Sequence, residues 1–259
     1  MALNTRSAFL YGHLIDQTNF SLDFDEGGSE LQASLQPGDY TFGTFATEVE
    51  RALNDTGSLT YNVTVDRSTR FVTISASGTF SLLPTSGSRI GVGVWDLLGF
   101  TGADQTGSST YTSDSESGTF YRPQFKLQDY APVEDLQGAQ TASVSESASG
   151  EFQIASFGSV RNMRCNIAFI NDYAQSKNGP IENNQNAVSE AREFLLYLIG
   201  KNKIEFFPDR DTTGVFVNLI LESTQRDRQG ISFELRELLS RNLPGYYESG
   251  NLTFREIPI

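Results

Sequence analysis

The sequence predicts an α+β fold that is mainly β, with two β-rich units of sandwich-like or barrel-like sheets, each supported by one amphipathic helix. Three observations predict it. Most apolar runs are short and alternate with polar residues, which is typical of strands. The chain has 23 Gly in 259 residues, and many separate these runs as turn residues. Only two longer stretches place apolar residues at helical spacing. Length allows one large or two ordinary domains, and the pattern suggests divisions at residues 1–100, 101–150 and 151–259.

The first unit, residues 1–100, starts with two predicted strands and a helix. Apolar and polar residues alternate over 20–24 and again over 30–35. A helix is predicted over residues 44–54, with Thr44 as its N-cap. Its apolar stripe consists of Phe45, Val49, Ala52 and Leu53. Because only one side of this helix is apolar, we expect it to cover one face of a sheet.

The rest of this unit is predicted to be a β-hairpin, a third strand and a helical turn. The hairpin pairs residues 61–66 with 71–76, both of which alternate. The third strand covers 78–83. Residues 94–100 form the helical turn, which Gly99 is expected to end.

The middle segment, residues 101–150, is predicted to serve contacts between subunits. Residues 103–117 are almost entirely polar, which predicts an exposed loop or arm. Residues 119–130 alternate, but Pro123 restricts them to an edge strand, where a neighbouring subunit is able to pair. The candidate interface residues are Tyr111, Tyr121, Phe125 and Tyr130.

The last unit, residues 151–259, is predicted to combine one helix with several strands. The helix covers 186–199 and ends at Gly200. Strands are predicted over 163–170, 203–207 and 214–221, and on either side of a turn at 248–251. The strand at 214–221 has apolar residues on both faces, so we expect it to be covered on both sides. Residues 230–239 fit either a strand or a helix.

Charge and composition exclude several classes of function. The net charge of −13 repels phosphate backbones, so direct nucleic-acid binding is not expected. No apolar run is long enough to span a membrane, and no secretory signal is visible. A single Cys cannot form an intramolecular disulfide, which fits assembly in a reducing cytoplasm.

The residues needed for common catalytic sites are rare. His13 is the only His, lies in an aromatic strand segment, and is expected to be structural or exposed. Cys165 is expected to pack in a core. The glycines at 91–93 are expected to be turn residues, and the acids at 209–211 lie in a turn rather than in a glycosidase-like pair. The acids at 23–26 lack the spacing of a calcium loop. The sequence therefore predicts no enzyme, no cofactor and no metal site.

The order of turns and elements from Gln36 to Phe100 carries a resemblance. Its turn Pro37-Gly38-Asp39-Tyr40-Thr41, the helix, the hairpin and the run Leu97-Leu98-Gly99-Phe100 resemble a module of virion structural proteins from tailed phages and other double-stranded DNA viruses. The module covers about a quarter of the chain. The C-terminal runs from Phe206 to Arg255 also resemble the ends of proteins encoded among phage tail genes.

The resemblance implies a structural virion protein of the distal tail or baseplate. We expect a homo-oligomeric ring of three or six copies that contacts other virion proteins and assembles through intersubunit β pairing and arms. Two alternatives remain at this point: a head decoration or neck protein, and a carbohydrate- or receptor-binding adhesin. The adhesin would use Tyr111, Tyr121, Tyr130, Tyr246 and Tyr247 to stack on sugars.

Overall fold

The computed structural model describes residues 7–125, 139–146, 152–160, 162–168, 170–171, 188–200, 202–209, 212–224, 240–243 and 246–257. The first elements are β1 (Ala8–Tyr11), β2 (Leu14–Ile15), β3 (Ser21–Asp25), β4 (Leu31–Ser34), β5 (Gly38–Asp39), α1 (Phe42–Thr56), β6 (Tyr61–Asp66), β7 (Phe71–Leu82), a 3₁₀ turn (Ile90–Val92), α2 (Trp95–Leu98), β8 (Gln105–Thr112) and β9 (Thr119–Tyr121). The later elements are β10 (Gln124–Phe125), β11 (Ala139–Glu146), β12 (Phe152–Val160), β13 (Asn162–Ala168), β14 (Ile170–Asn171), α3 (Val188–Ile199), β15 (Ile204–Phe207), β16 (Val217–Thr224), β17 (Ser240–Leu243), β18 (Tyr246–Glu248) and β19 (Asn251–Glu256). The predicted fold class, α+β and mainly β, is confirmed.

The described residues form two compact units. The first unit consists of Ala8–Tyr121 together with Asn202–Phe216, and the second contains the other described residues. This division differs from the predicted one at residues 100 and 150. Strands β8 and β9 belong to the first unit, and β15 joins it from far along the chain.

The first unit contains a five-stranded antiparallel sheet in the order β4-β3-β7-β6, with β8 paired to β7. The predicted hairpin is confirmed, since β6 and β7 pair from Tyr61 opposite Ala76 to Asp66 opposite Phe71. The strand predicted at 78–83 is not a separate element. It is the second half of β7, which continues through an irregularity between Ser75 and Phe80 in its pairing with β8.

Helix α1 begins earlier than predicted. Its N-cap is Thr41, not Thr44, because the two residues form a capping box in which each side chain accepts the backbone N–H of the other. The helix therefore starts at Phe42 and ends at Thr56, two residues beyond the predicted 44–54 at either end. The predicted apolar stripe is confirmed and lies in the core.

Helix α2 ends at Gly99, as predicted. Gly99 has φ +82°, and the Phe100 N–H bonds to the Trp95 carbonyl 3.0 Å away, closing the helical turn.

Strand β8 lies within residues 103–117, so the prediction of a loop or arm is wrong for Gln105–Thr112, although most of these residues are exposed, as predicted. Polar Thr residues pair well along a half-exposed sheet, and the Thr73 and Thr112 hydroxyls meet at 3.0 Å. Tyr111 anchors the strand in the core. The edge strand predicted over 119–130 is divided into β9, which pairs with β1, and β10, which pairs with β13. Each is an edge strand, as predicted.

The second unit contains the antiparallel strands β10-β13-β19-β16, a three-stranded sheet in the order β14-β18-β17, and the β11-β12 pair. On β13 the side chains of Met163, Cys165 and Ile167 are buried, which confirms the predicted burial of Cys165. The part of the predicted helix at 186–199 that the structure describes is α3, and its buried residues are Ala191, Phe194, Leu195 and Leu198.

Three further predictions for residues 151–259 have different outcomes. Val215 is 58% exposed, so the predicted cover on both faces of 214–221 is wrong at its start. The strands around 248–251 are present, but β18 pairs with β14 and β17, whereas β19 pairs with β13 and β16. Residues 230–239 lie outside the described residues.

Candidate functional site

Two of the four predicted interface residues are buried in the first unit. The Tyr111 ring meets the Phe80 ring edge-on at 4.9 Å, and its hydroxyl donates to the Phe80 carbonyl at 2.8 Å. Tyr121 is 2% exposed and lies on β9 opposite Phe9. Neither ring is at the surface, where the interface prediction places it.

The other two interface residues remain predictions. Phe125 lies on β10, opposite Ile167 of β13. Tyr130 lies outside the described residues.

Helix α1 closes the free edge of β6. The Asn54 side chain accepts the Tyr61 N–H at 2.8 Å and donates to the Tyr61 carbonyl at 3.0 Å. Glu50 accepts the Val63 N–H at 2.9 Å. These bonds occupy backbone groups with which an incoming strand would pair.

The same helix closes the edge of β4. Arg51 donates to the Ser34 carbonyl at 3.2 Å, and Glu48 accepts the Gln36 N–H at 2.6 Å. Arg51 also donates to Glu48, so the two side chains hold one another in place. Side chains of α1 therefore bond to backbone groups at both of these edges of the sheet.

Strand β8 closes part of its own outer edge. The Ser113 N–H donates to the Val72 carbonyl, so by the alternation of antiparallel pairing Thr110 and Thr112 direct their backbone groups away from β7. The Ser108 hydroxyl accepts the Thr110 N–H and donates to the Thr110 carbonyl. The Asp114 N–H donates to the Gly99 carbonyl. These bonds occupy backbone groups with which an incoming strand would pair.

Strand β15 is the one element of the first unit that comes from the distant segment 202–216. It pairs antiparallel with β1, with Ala8 opposite Phe207 and Leu10 opposite Glu205. All four of its residues are buried. Its aromatic rings contact Phe9 and Phe120 at centroid distances of 5.0 and 5.6 Å.

An ion pair between Arg67 and the buried Glu205 holds β15 in place. Glu205 accepts from Arg67 Nε at 2.8 Å and from Nη2 at 3.2 Å, and its side chain is 1% exposed. It also accepts the Gly43 N–H at 3.1 Å, at the positive N-terminal end of α1. The Arg67 guanidinium lies 3.9 Å from the ring centre of Phe216, which belongs to the same segment as Glu205. Sequence analysis missed this pair, although a Glu inside the apolar run Ile204–Phe207 was a visible signal.

A second polar contact holds the start of the same segment. The Lys203 N–H donates to the Asp39 carboxylate, and the Lys203 ammonium donates to the Asp39 carbonyl at 2.9 Å. We call the surface of β1, Asp39, Gly43 and Arg67 that receives segment 202–216 the β15 seat. It recognises an extended strand through backbone pairing, aromatic burial and charge.

The only His and the only Cys of the sequence, His13 and Cys165, have structural roles. The Ser117 hydroxyl donates to the Leu97 carbonyl at 2.7 Å, so its oxygen accepts from His13 Nε2–H at 3.1 Å. The His13 ring stacks on Phe42. Burial, aided by the Arg70 charge, lowers the pKa of His13 to about 3, so the ring is neutral near pH 7. Burial also raises the pKa of the Cys165 thiol.

We expect His13 to make stability depend on pH between 6.5 and 5. Its pKa is lower in the folded than in the unfolded chain, so the unfolded chain binds the extra proton and stability falls as the pH drops below 6.5, with a slope approaching about 1.4 kcal/mol per pH unit. Because His13 is the only His, no other side chain has its ordinary pKa in this window. Urea unfolding at several pH values measures the slope.

The matched variant is His13→Gln, which keeps a side-chain N–H but does not titrate. Its unfolding free energy is expected to fall much less from pH 6.5 to 5, because only the onset of carboxylate protonation near pH 5 remains. An equal slope in both proteins would contradict the assignment.

Within the described ranges, no group of three or more His, Cys, Asp or Glu is arranged to hold a metal ion. None of the helices described here is long and apolar enough to cross a membrane. Comparison with models of known protein families finds no match, and a search of curated proteins finds none either.

Proposed function

We propose that the protein is a structural component of a tailed-phage virion, at the distal tail or baseplate, where copies assemble into a ring of three or six. The resemblance of residues 36–100 to a virion module supports this class. The observation that carries the proposal is the β15 seat, because it shows this fold recognising a strand from a distant part of the chain. Strand pairing with aromatic burial supplies the rigidity that a mechanical role needs.

The chemistry of the described residues supports a mechanical rather than a catalytic role. His13, Cys165 and Glu205 are all buried and serve packing or pairing. The net charge of −13 suits a particle component past which DNA travels without adhering. Other virion proteins would be its partners, and assembly would take place in the host cytoplasm. A head decoration or neck protein would use the same properties at another position.

Electron microscopy of the purified, negatively stained protein tests the proposal. Closed particles with three or six subunits are expected. A glycan array is the parallel test of the adhesin alternative, which the burial of Tyr111 and Tyr121 makes less favourable. Single small particles at every concentration would contradict the ring proposal, and a specific sugar signal would then favour the adhesin.

A further inference from the structure

We propose that β15 is exchanged between copies: residues 202–216 of one copy occupy the β15 seat of the next, with Glu205 bound to the neighbour's Arg67. This inference rests on the proposed function and names the contact that would build the ring. The occupant is a second copy of this chain, because the segment that fits the seat is the chain's own.

The seat is specific enough to select this segment. A strand that enters it must place a carboxylate between Arg67 and the Gly43 N–H, where the guanidinium bonds are 2.8 and 3.2 Å long. A shift by one residue would bring an apolar side chain against Arg67 and remove the carboxylate that accepts its hydrogen bonds. Buried charged groups are well suited to setting register in this way.

The connection between the units favours exchange. The first unit is continuous from Ala8 to Tyr121, and β15 returns to it only after the chain has passed through the second unit. Two residues, Arg122 and Pro123, separate β9 of the first unit from β10 of the second. Proline fixes its own φ and holds the preceding residue extended, and short restricted hinges invite domain swapping.

Some of the backbone groups open to strand pairing in the five-stranded sheet are already occupied. Side chains of α1 bond to the Ser34 and Tyr61 carbonyls beside β4 and β6, and the Ser108 hydroxyl bonds to Thr110 of β8. Every contact of the β15 seat is the same whether the strand comes from the same copy or from the next. Passing the strand from each copy to the next is a head-to-tail contact, and such a contact builds a ring when the rotation between neighbouring copies closes.

Charge reversal on the full chain tests the exchange. Arg67→Glu reverses the charge of the seat and keeps the native strand. Glu205→Arg keeps the native seat and reverses the charge of the strand. Each variant alone has like charges at every seat and is expected to lose ring particles by at least about a hundredfold. In an equal mixture refolded together, a seat with reversed charge can receive a strand with reversed charge, and a native seat can receive a native strand. In both cases the strand must come from the other variant. Rings are then expected to return.

The double variant Arg67→Glu/Glu205→Arg is the matched control, because its charges are complementary both within a copy and between copies. If the double variant forms six-membered rings and the mixture does not, the exchange is wrong. Alternating variants close only rings of even number, so a three-membered ring needs a second measurement.

That measurement uses the variant Phe9→Cys/Phe206→Cys, whose two positions lie directly opposite each other on β1 and β15. Cys165 is fully buried and does not compete for oxidation. On a non-reducing denaturing gel, covalently linked chains support the exchange, and an oxidised single chain overturns it; each single-cysteine variant is the control. Rings with single-chain disulfides would leave the proposed function standing, whereas an absence of wild-type rings would overturn the proposed function itself.

Discussion

Replacing Glu205 with alanine is expected to lower the free energy of unfolding by about 3–5 kcal/mol. The substitution removes a carboxylate that is 1% exposed and accepts two bonds from Arg67 and one from the Gly43 N–H. Because these bonds are charge-assisted and the Gly43 N–H loses its acceptor, the loss exceeds that of a surface ion pair, although the Arg67 side chain is itself 21% exposed. Urea unfolding followed by circular dichroism measures it.

Asp55→Ala is the matched control. Asp55 also pairs with an arginine, Arg51, but its side chain is 64% exposed. Its loss is expected to be below about 1 kcal/mol. Equal effects of the two substitutions would show that the Glu205 pair is not the buried anchor described above.

Gly99→Ala is expected to lower the free energy of unfolding by about 2–5 kcal/mol, as the sum of backbone strain and overpacking. Gly99 has φ +82°, and a Cβ built there would lie 2.2 Å from the Ser115 carbonyl oxygen. That carbonyl is backbone, so relief requires α2 or the loop before β9 to shift. Thermal or urea unfolding of the purified variant measures the loss.

Two glycines in the turn after β3 separate the two causes. Gly27 has φ +86° with open space around its Cβ position, so Gly27→Ala carries strain alone and is expected to cost about 1–2 kcal/mol. Gly28 has open space and no positive φ, so Gly28→Ala is expected to change stability by less than about 0.5 kcal/mol. A loss for Gly99→Ala no larger than that for Gly27→Ala would contradict the clash.

Elements held by local interactions could be predicted from the sequence. The hairpin of β6 and β7, the apolar stripe of α1 and the stop at Gly99 depend on alternation, helical spacing and turn chemistry within a few residues. Even the misplaced N-cap is a local error, since Thr41 and Thr44 are both competent caps and a reciprocal bond decides between them.

Interactions between distant residues could not be predicted. Arg67 and Glu205 are 138 positions apart, and no local pattern links them. The polar composition of β8 resembles that of a loop, and only its pairing with β7 makes it a strand. The burial of Tyr111 likewise depends on Phe80, which the sequence places in a different element. The β15 seat is composed entirely of such contacts.

The mass of the purified protein in solution, measured by light scattering over a range of concentrations, tests the central claim that this protein works as an assembled ring. One chain has a mass of 28.6 kDa. A discrete species of three or six chains is the predicted result. A mass of 28.6 kDa at every concentration would contradict self-assembly of the free protein.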